Sequence, residues 1–178
     1  MKSAPNFHES ILKVEYRNES ETQYRDILVL GCGNILFGDD GFGPCVIEYL
    51  QKHERVPENV SLLNVGTSVR GILFDILLSS HRPKKIIVVD AVDLGREPGT
   101  VFPIDIDEMP LNKIDDFTLH EMPTSNLLKE LKEFCDIEVL IIAGQIAHLP
   151  EEVKPGLSDP LQESLPLAAQ EVLKACRG

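Results

Sequence analysis

Apolar residues along this chain fall into two kinds of stretch that alternate. Short runs at 27–30 (ILVL), 60–65 (VSLLNV), 85–90 (KIIVVD) and 138–143 (EVLIIA) have the length of strands. The run at 85–90 is apolar almost throughout, which predicts a central strand covered on both faces. Between the runs the period lengthens. Val46, Ile47 and Leu50, set against Glu48, Lys52 and Glu54, predict a helix over 43–53. Val69, Ile72, Leu73, Ile76 and Leu77 form one apolar stripe of a helix over 69–78. A third helix is expected at 125–134, with Thr124 or Ser125 as its cap. A last helix is expected to run to about Cys176, opened by Ser158 or Asp159 with Pro160 in its first turn. The turn-like segment 94–99 precedes a short strand at 99–104. Strands alternating with helices predict an α/β layered domain with a mostly parallel sheet.

This pattern starts at Asp26. Residues 1–25 are polar, lack a sustained period beyond room for a short helix near 10–16, and are read as an N-terminal extension to a single domain at 26–178. No internal repeat or low-complexity tract is present. The apolar runs fall far short of the roughly 20 residues of a membrane span, and no basic segment followed by an apolar one opens the chain. A soluble cytoplasmic protein is the expectation.

Charge narrows the choice of partner. Seventeen Lys and Arg against 29 Asp and Glu leave a net charge of −12, which opposes binding to a phosphate backbone and leaves solubility or a taste for cationic partners. Cys32, Cys45, Cys135 and Cys176 contain no Cys-x-x-Cys pair, so neither a zinc ribbon nor a thioredoxin-like site is indicated.

The most informative segment is Leu30-Gly31-Cys32-Gly33-Asn34-Ile35-Leu36-Phe37-Gly38-Asp39-Asp40-Gly41-Phe42-Gly43, a strand running through a glycine-rich turn into a helix. A dinucleotide loop of the form G-x-G-x-x-G would need glycine where Leu36 stands. Asp39 and Asp40 then bring negative charge to the place a phosphate would occupy. One of the pair is assigned to capping the helix, leaving the other free for chemistry. Asp90 closes the run KIIVVD. Ligands of open α/β sheets bind beyond the carboxyl ends of the strands, so Asp90 and Asp40 are expected to converge there. Two approaching carboxylates either share a proton or bind a cation. His120, just before the third helix, would complete an oxygen and nitrogen ligand set suited to a borderline transition metal. Taken alone, each of these residues has an ordinary reading: a salt bridge or loop cap for Asp90, a surface histidine for His120. His148 is a reserve ligand, whereas His8, His53 and His81 lie in the extension or at element ends. Ser68 and Ser125 stand in no G-x-S-x-G elbow, and Cys32 is expected to pack rather than attack.

These residues resemble those of the hydrogenase maturation proteases. Gly31-x-Gly33-Asn34-x-Leu36-x-x-Asp39-Asp40-Gly41-x-Gly43 is similar to that family's opening motif. Asp40 matches its first acidic metal ligand (Glu in some members), Asp90 the second and His120 the histidine. Gly66-Thr67 and Gly156-Leu157-Ser158 resemble two further family segments, so the likeness runs from about 26 to about 173. Leu119-His120-Glu121-Met122-Pro123 looks most like the branch serving deazaflavin (coenzyme F-420)-reducing hydrogenases. Gly144-Gln145-Ile146-Ala147 departs from the family's Gly-Ile-x-Pro, and residues 1–25 have no counterpart.

The resemblance implies a three-layer α/β/α fold with a five-stranded sheet, one strand antiparallel, for which 99–104 is the candidate. It implies an endopeptidase that removes the C-terminal tail of a nickel–iron hydrogenase large-subunit precursor once nickel is inserted. Asp40, Asp90 and His120 would recognise nickel supplied by the precursor, and other divalent metals would occupy the site in vitro. The same three ligands would also serve a non-enzymatic metal-delivery or checkpoint module.

Overall fold

The structure, a computed structural model, describes residues 24–108 and 124–177. Its sheet has five strands, β1 (Ile27–Cys32), β2 (Val60–Gly66), β3 (Lys85–Val92), β4 (Val101–Asp105) and β5 (Glu138–Gln145). Their spatial order is β2-β1-β3-β5-β4. The first four neighbours run parallel, and β4 lies antiparallel on β5 at the edge. The helices are α1 (Phe42–His53), α2 (Val69–Leu78), α3 (Thr124–Cys135) and α4 (Asp159–Ala175).

The period of two along each strand divides the core. Val29, Ile87, Val89 and Ile142 point to one face, where α1 and α4 cover them with Val46, Ile47, Leu50, Leu161, Leu165 and Val172. Leu28, Leu30, Ile86, Val88 and Ile141 point to the other, beneath Leu73 and Ile76 of α2 and Leu127, Leu128 and Leu131 of α3. Each such side chain contributes roughly 1.5–3 kcal/mol by leaving water, so strands with two apolar faces can exist only inside a sandwich of helices. The expected α/β/α architecture and its antiparallel edge strand are thereby observed. Pro166 lies inside α4 on its exposed side, where water can satisfy the carbonyl that its missing N–H leaves free.

Tyr24 packs against the α2/α3 core, and Arg25 donates to the Ser61 hydroxyl and the Val60 carbonyl of β2. No described helix is long and apolar enough to cross a membrane.

From β1 the chain passes through α1 to β2 at one edge of the sheet, and from β3 it passes to β4 at the other edge, so the connections leave these two neighbours in opposite directions. In open α/β sheets the crevice that takes a ligand lies beyond the carboxyl ends of two such neighbours. β1 and β3 stay in register from Ile27↔Lys85 to Gly31↔Val89. Asp90 is the first β3 residue beyond that pairing.

Candidate functional site

The glycine-rich segment is a packing device as much as a turn. Gly43, in the first turn of α1, lies so close to the sheet that a Cβ there would come within 2.3 Å of both the Cys32 and the Val89 carbonyl oxygens. Gly33 has φ +115°, and a Cβ on it would sit 1.9 Å from the Asp40 carbonyl oxygen. The glycines thus let the loop after β1 fold back on the start of α1.

The fold-back brings the two adjacent aspartates to different tasks. Both are buried in a 3-10 turn at Gly38–Gly41. Neither caps a helix as the sequence suggested: no side-chain cap hydrogen bond exists on that turn or on α1. The Asp39 carboxylate turns instead toward the β5–α4 connection. Its Oδ2 accepts from the Ala147 N–H at 2.8 Å and the Ser158 hydroxyl at 2.9 Å, and its Oδ1 from the Ser158 N–H at 2.6 Å. Ser158, expected as a possible cap of α4, makes no cap hydrogen bond there. The Asp40 carboxylate turns the other way, and its Oδ2 accepts from the Asn34 N–H at 2.7 Å.

Asp90 has the strand parity of Ile86, Val88 and Val92, which places it on the α2/α3 side of the sheet, as Cys32 is. Its Oδ1 accepts from the Ala91 N–H at 2.8 Å. Loss of water around the carboxyl pushes its pKa up to about 8; the Ala91 N–H pulls against that shift, and the Asp40 charge adds to it. The Cys32 thiol is raised well above its ordinary value by burial, then by Asp90 and Asp40. Asp40, Asp90 and Cys32 therefore share one electrostatic neighbourhood at the carboxyl end of β1 and β3. Cys32 remains a neutral, buried thiol, poorly suited to attack.

The expected third ligand, His120, lies outside the described residues, as does the whole Leu119–Pro123 segment. His148 is exposed just beyond β5. Among the described residues no three His, Cys, Asp or Glu side chains are arranged to hold a metal. What they provide is a pair of interacting carboxylates, one with a proton to exchange for a cation. That chemistry suits an ion brought with further ligands of its own.

Two supports of this region escaped the sequence reading. One is Asp39. The other is Gln145, which with Ala147 departs from the family pattern. Its side chain is buried and fully used: Oε1 accepts from the Leu94 and Arg96 N–H groups at 2.9 and 3.2 Å, while Nε2 donates to Asp93 Oδ1 and the Ile146 carbonyl at 3.0 and 3.1 Å. It fixes the turn that follows Asp90 out of β3. The Arg96 guanidinium lies 3.6 Å from the centre of the Phe102 ring, tying the same turn to β4. A polar amide closing the apolar run EVLIIAG was the available signal for Gln145. Asp39 offered none beyond its neighbour.

Comparison with known proteins bears on what such a site belongs to. The family model described as hydrogenase maturation protease matches residues 44–175. The chain is 42% identical over 151 residues to a Methanocaldococcus jannaschii protein bearing the name of a hydrogenase maturation protease, covering 84% of this chain and 95% of that one. It is 40% identical to the coenzyme F420 hydrogenase subunit delta of Methanothermobacter thermautotrophicus, over 83% of this chain and 92% of that one. Among solved structures it is similar to the Escherichia coli hydrogenase maturating endopeptidase HybD, with TM-score 0.67 and 26% identity over 85% of this chain and 91% of that one.

Proposed function

We propose a specific reaction for this chain, which belongs to the hydrogenase maturation protease family. It is an endopeptidase of that class. The proposed substrate is the large-subunit precursor of a nickel–iron hydrogenase, and the proposed reaction is removal of its C-terminal tail after nickel insertion. The 40% identity to a coenzyme F420 hydrogenase subunit delta favours a deazaflavin-reducing hydrogenase as the parent enzyme. Nickel–iron maturation of this kind would take place in the cytoplasm.

One observation carries the reading: Asp40 and Asp90 act on one another at the switch point of the sheet, with the Asp90 carboxyl poised near neutrality. Nickel in this scheme is part of the substrate, held by the precursor's thiolates. Asp40 and Asp90 offer it harder oxygen donors, and His120 an imidazole. On capture, Asp90 releases its proton to solvent and its carboxylate turns to the cation, so that like charge becomes ligand charge. The nickel would orient the tail and act as a Lewis acid on the carbonyl to be cleaved or on the attacking water. A precursor without nickel leaves the proton on Asp90 and gains nothing from the two acids. That difference makes cleavage conditional on a loaded precursor.

The test is incubation of the protein with nickel-loaded and nickel-free precursor, followed by mass spectrometry of the intact chains. Shortening of the loaded form alone is expected. Loaded precursor that stays at full length beside a folded protease overturns the reading, and a stable nickel-dependent complex with uncut precursor would assign the chain the checkpoint role.

A further inference from the structure

Asp39 is 1% exposed and sits beside a residue to which the proposed function gives the metal-reading role, yet it faces away from that site. A carboxylate so deep needs full satisfaction by donors. It receives three, from residues 108 and 119 positions further along the chain: the Ala147 N–H, the Ser158 N–H and the Ser158 hydroxyl. The neighbouring backbone is bound to the same connection. Gly38 N–H donates to the Lys154 carbonyl and Lys154 N–H to the Leu36 carbonyl, both at 2.9 Å. The loop at 33–41 is thus fastened on one side to 147–158, while its other side presents Asp40.

We infer that Asp39 is a positioning residue, holding the loop so that the Asp40 carboxylate faces Asp90 before any cation arrives. This rests on the function proposed above. The geometry also explains why an acid is needed. An asparagine could not replace it in either orientation: its NH2 in the place of Oδ2 would confront the Ala147 N–H, and in the place of Oδ1 the Ser158 N–H. One donor would face another, and the loop would have to shift. The isosteric change Asp39→Asn therefore disturbs the placement of Asp40 without altering the size of any side chain.

The experiment compares the affinity of the full chain for nickel-loaded and nickel-free precursor, each titrated at a temperature well below the melting points of wild type and variant. Wild type is expected to prefer the loaded form. Asp39→Asn is expected to lose about 10–100-fold of that preference, with affinity for the nickel-free precursor unchanged. A merely structural role would weaken both complexes alike. Either equal weakening or a preference identical to wild type overturns the inference. Ser158→Ala removes one of the three bonds and carries the test if Asp39→Asn does not fold: a several-fold loss of preference supports the inference, and an unchanged preference overturns it. Lack of any preference in the wild type would instead remove the functional reading itself, so the two failures are distinguishable.

Discussion

The two ends of the parallel sheet treat charge in opposite ways. At the amino end, Lys85 is a buried cation, and the adjacent strand supplies Glu138 at 2.9 Å in direct register. The backbone there is knitted as well, with Asp26 accepting from the Lys84 and Lys85 N–H groups and Lys84 accepting from Glu138. At the carboxyl end, Asp40 and Asp90 share one electrostatic neighbourhood, and among the described residues no lysine or arginine forms an ion pair with Asp90. One end is neutralised internally. The other brings two acids together, and loss of water keeps a proton on Asp90, with the Asp40 charge adding to that effect. Charge paired across neighbouring strands serves the fold, and the two acids brought together at the other end are the candidates for chemistry.

Breaking the open end should produce the largest effect on function. Asp90→Asn is expected to lower processing of nickel-loaded precursor by about 100-fold or more, followed by mass spectrometry over time. The same variant should melt no lower than wild type near pH 8, because it removes a carboxylate that burial disfavours. The packing beneath the site comes next. Gly43→Ala would force a methyl against two backbone carbonyls and should cost about 3 kcal/mol in denaturant unfolding.

The titration of Asp90 sharpens the contrast further. Its pKa rises from an ordinary 3.8 to about 8 in the fold, so the folded chain keeps a proton that the unfolded chain has already lost between those values. Its favourable contribution is complete below about pH 4 and disappears as pH rises through 8. Within that window it lowers stability by up to about 1.4 kcal/mol per pH unit. Melting curves across pH should show this slope in wild type and lose it in Asp90→Asn.

Gln145→Leu should leave the Leu94 and Arg96 N–H groups without their acceptor, at a cost of about 1–3 kcal/mol, and quicken proteolysis within 93–98. The smallest effect belongs to the closed end. Glu138 is mostly exposed, so Glu138→Ala should cost about 1 kcal/mol at most, with processing per folded molecule unchanged.

The elements were legible because their signal is local. Val69–Leu78 is helical as its stripe predicts. β3 and β5 each run two residues past the expected end, to Val92 and Gln145, because the Asp90↔Ala143 and Val92↔Gln145 pairs continue the backbone ladder whatever their side chains carry. Asp40 and Asp90 come near each other because topology places the ends of β1 and β3 side by side. The assignment of a cap to Asp39 or Asp40 failed for the reverse reason. An aspartate before a helix is an ordinary local signal, but Asp39 answers to Ser158 and Ala147, whose arrival is decided by the fold of the whole chain. His120 lies outside the described residues.

The ladder from Ile27↔Lys85 to Gly31↔Val89 has one more implication. The crevice is cut between two strands of a single sheet, not between lobes that can swing apart. The backbones beneath its two acids are held at the spacing of neighbouring β-strands, roughly 4.8 Å. Adjustment at this point is left to side chains and to the loops after β1 and β3, and not to a movement of the strands themselves.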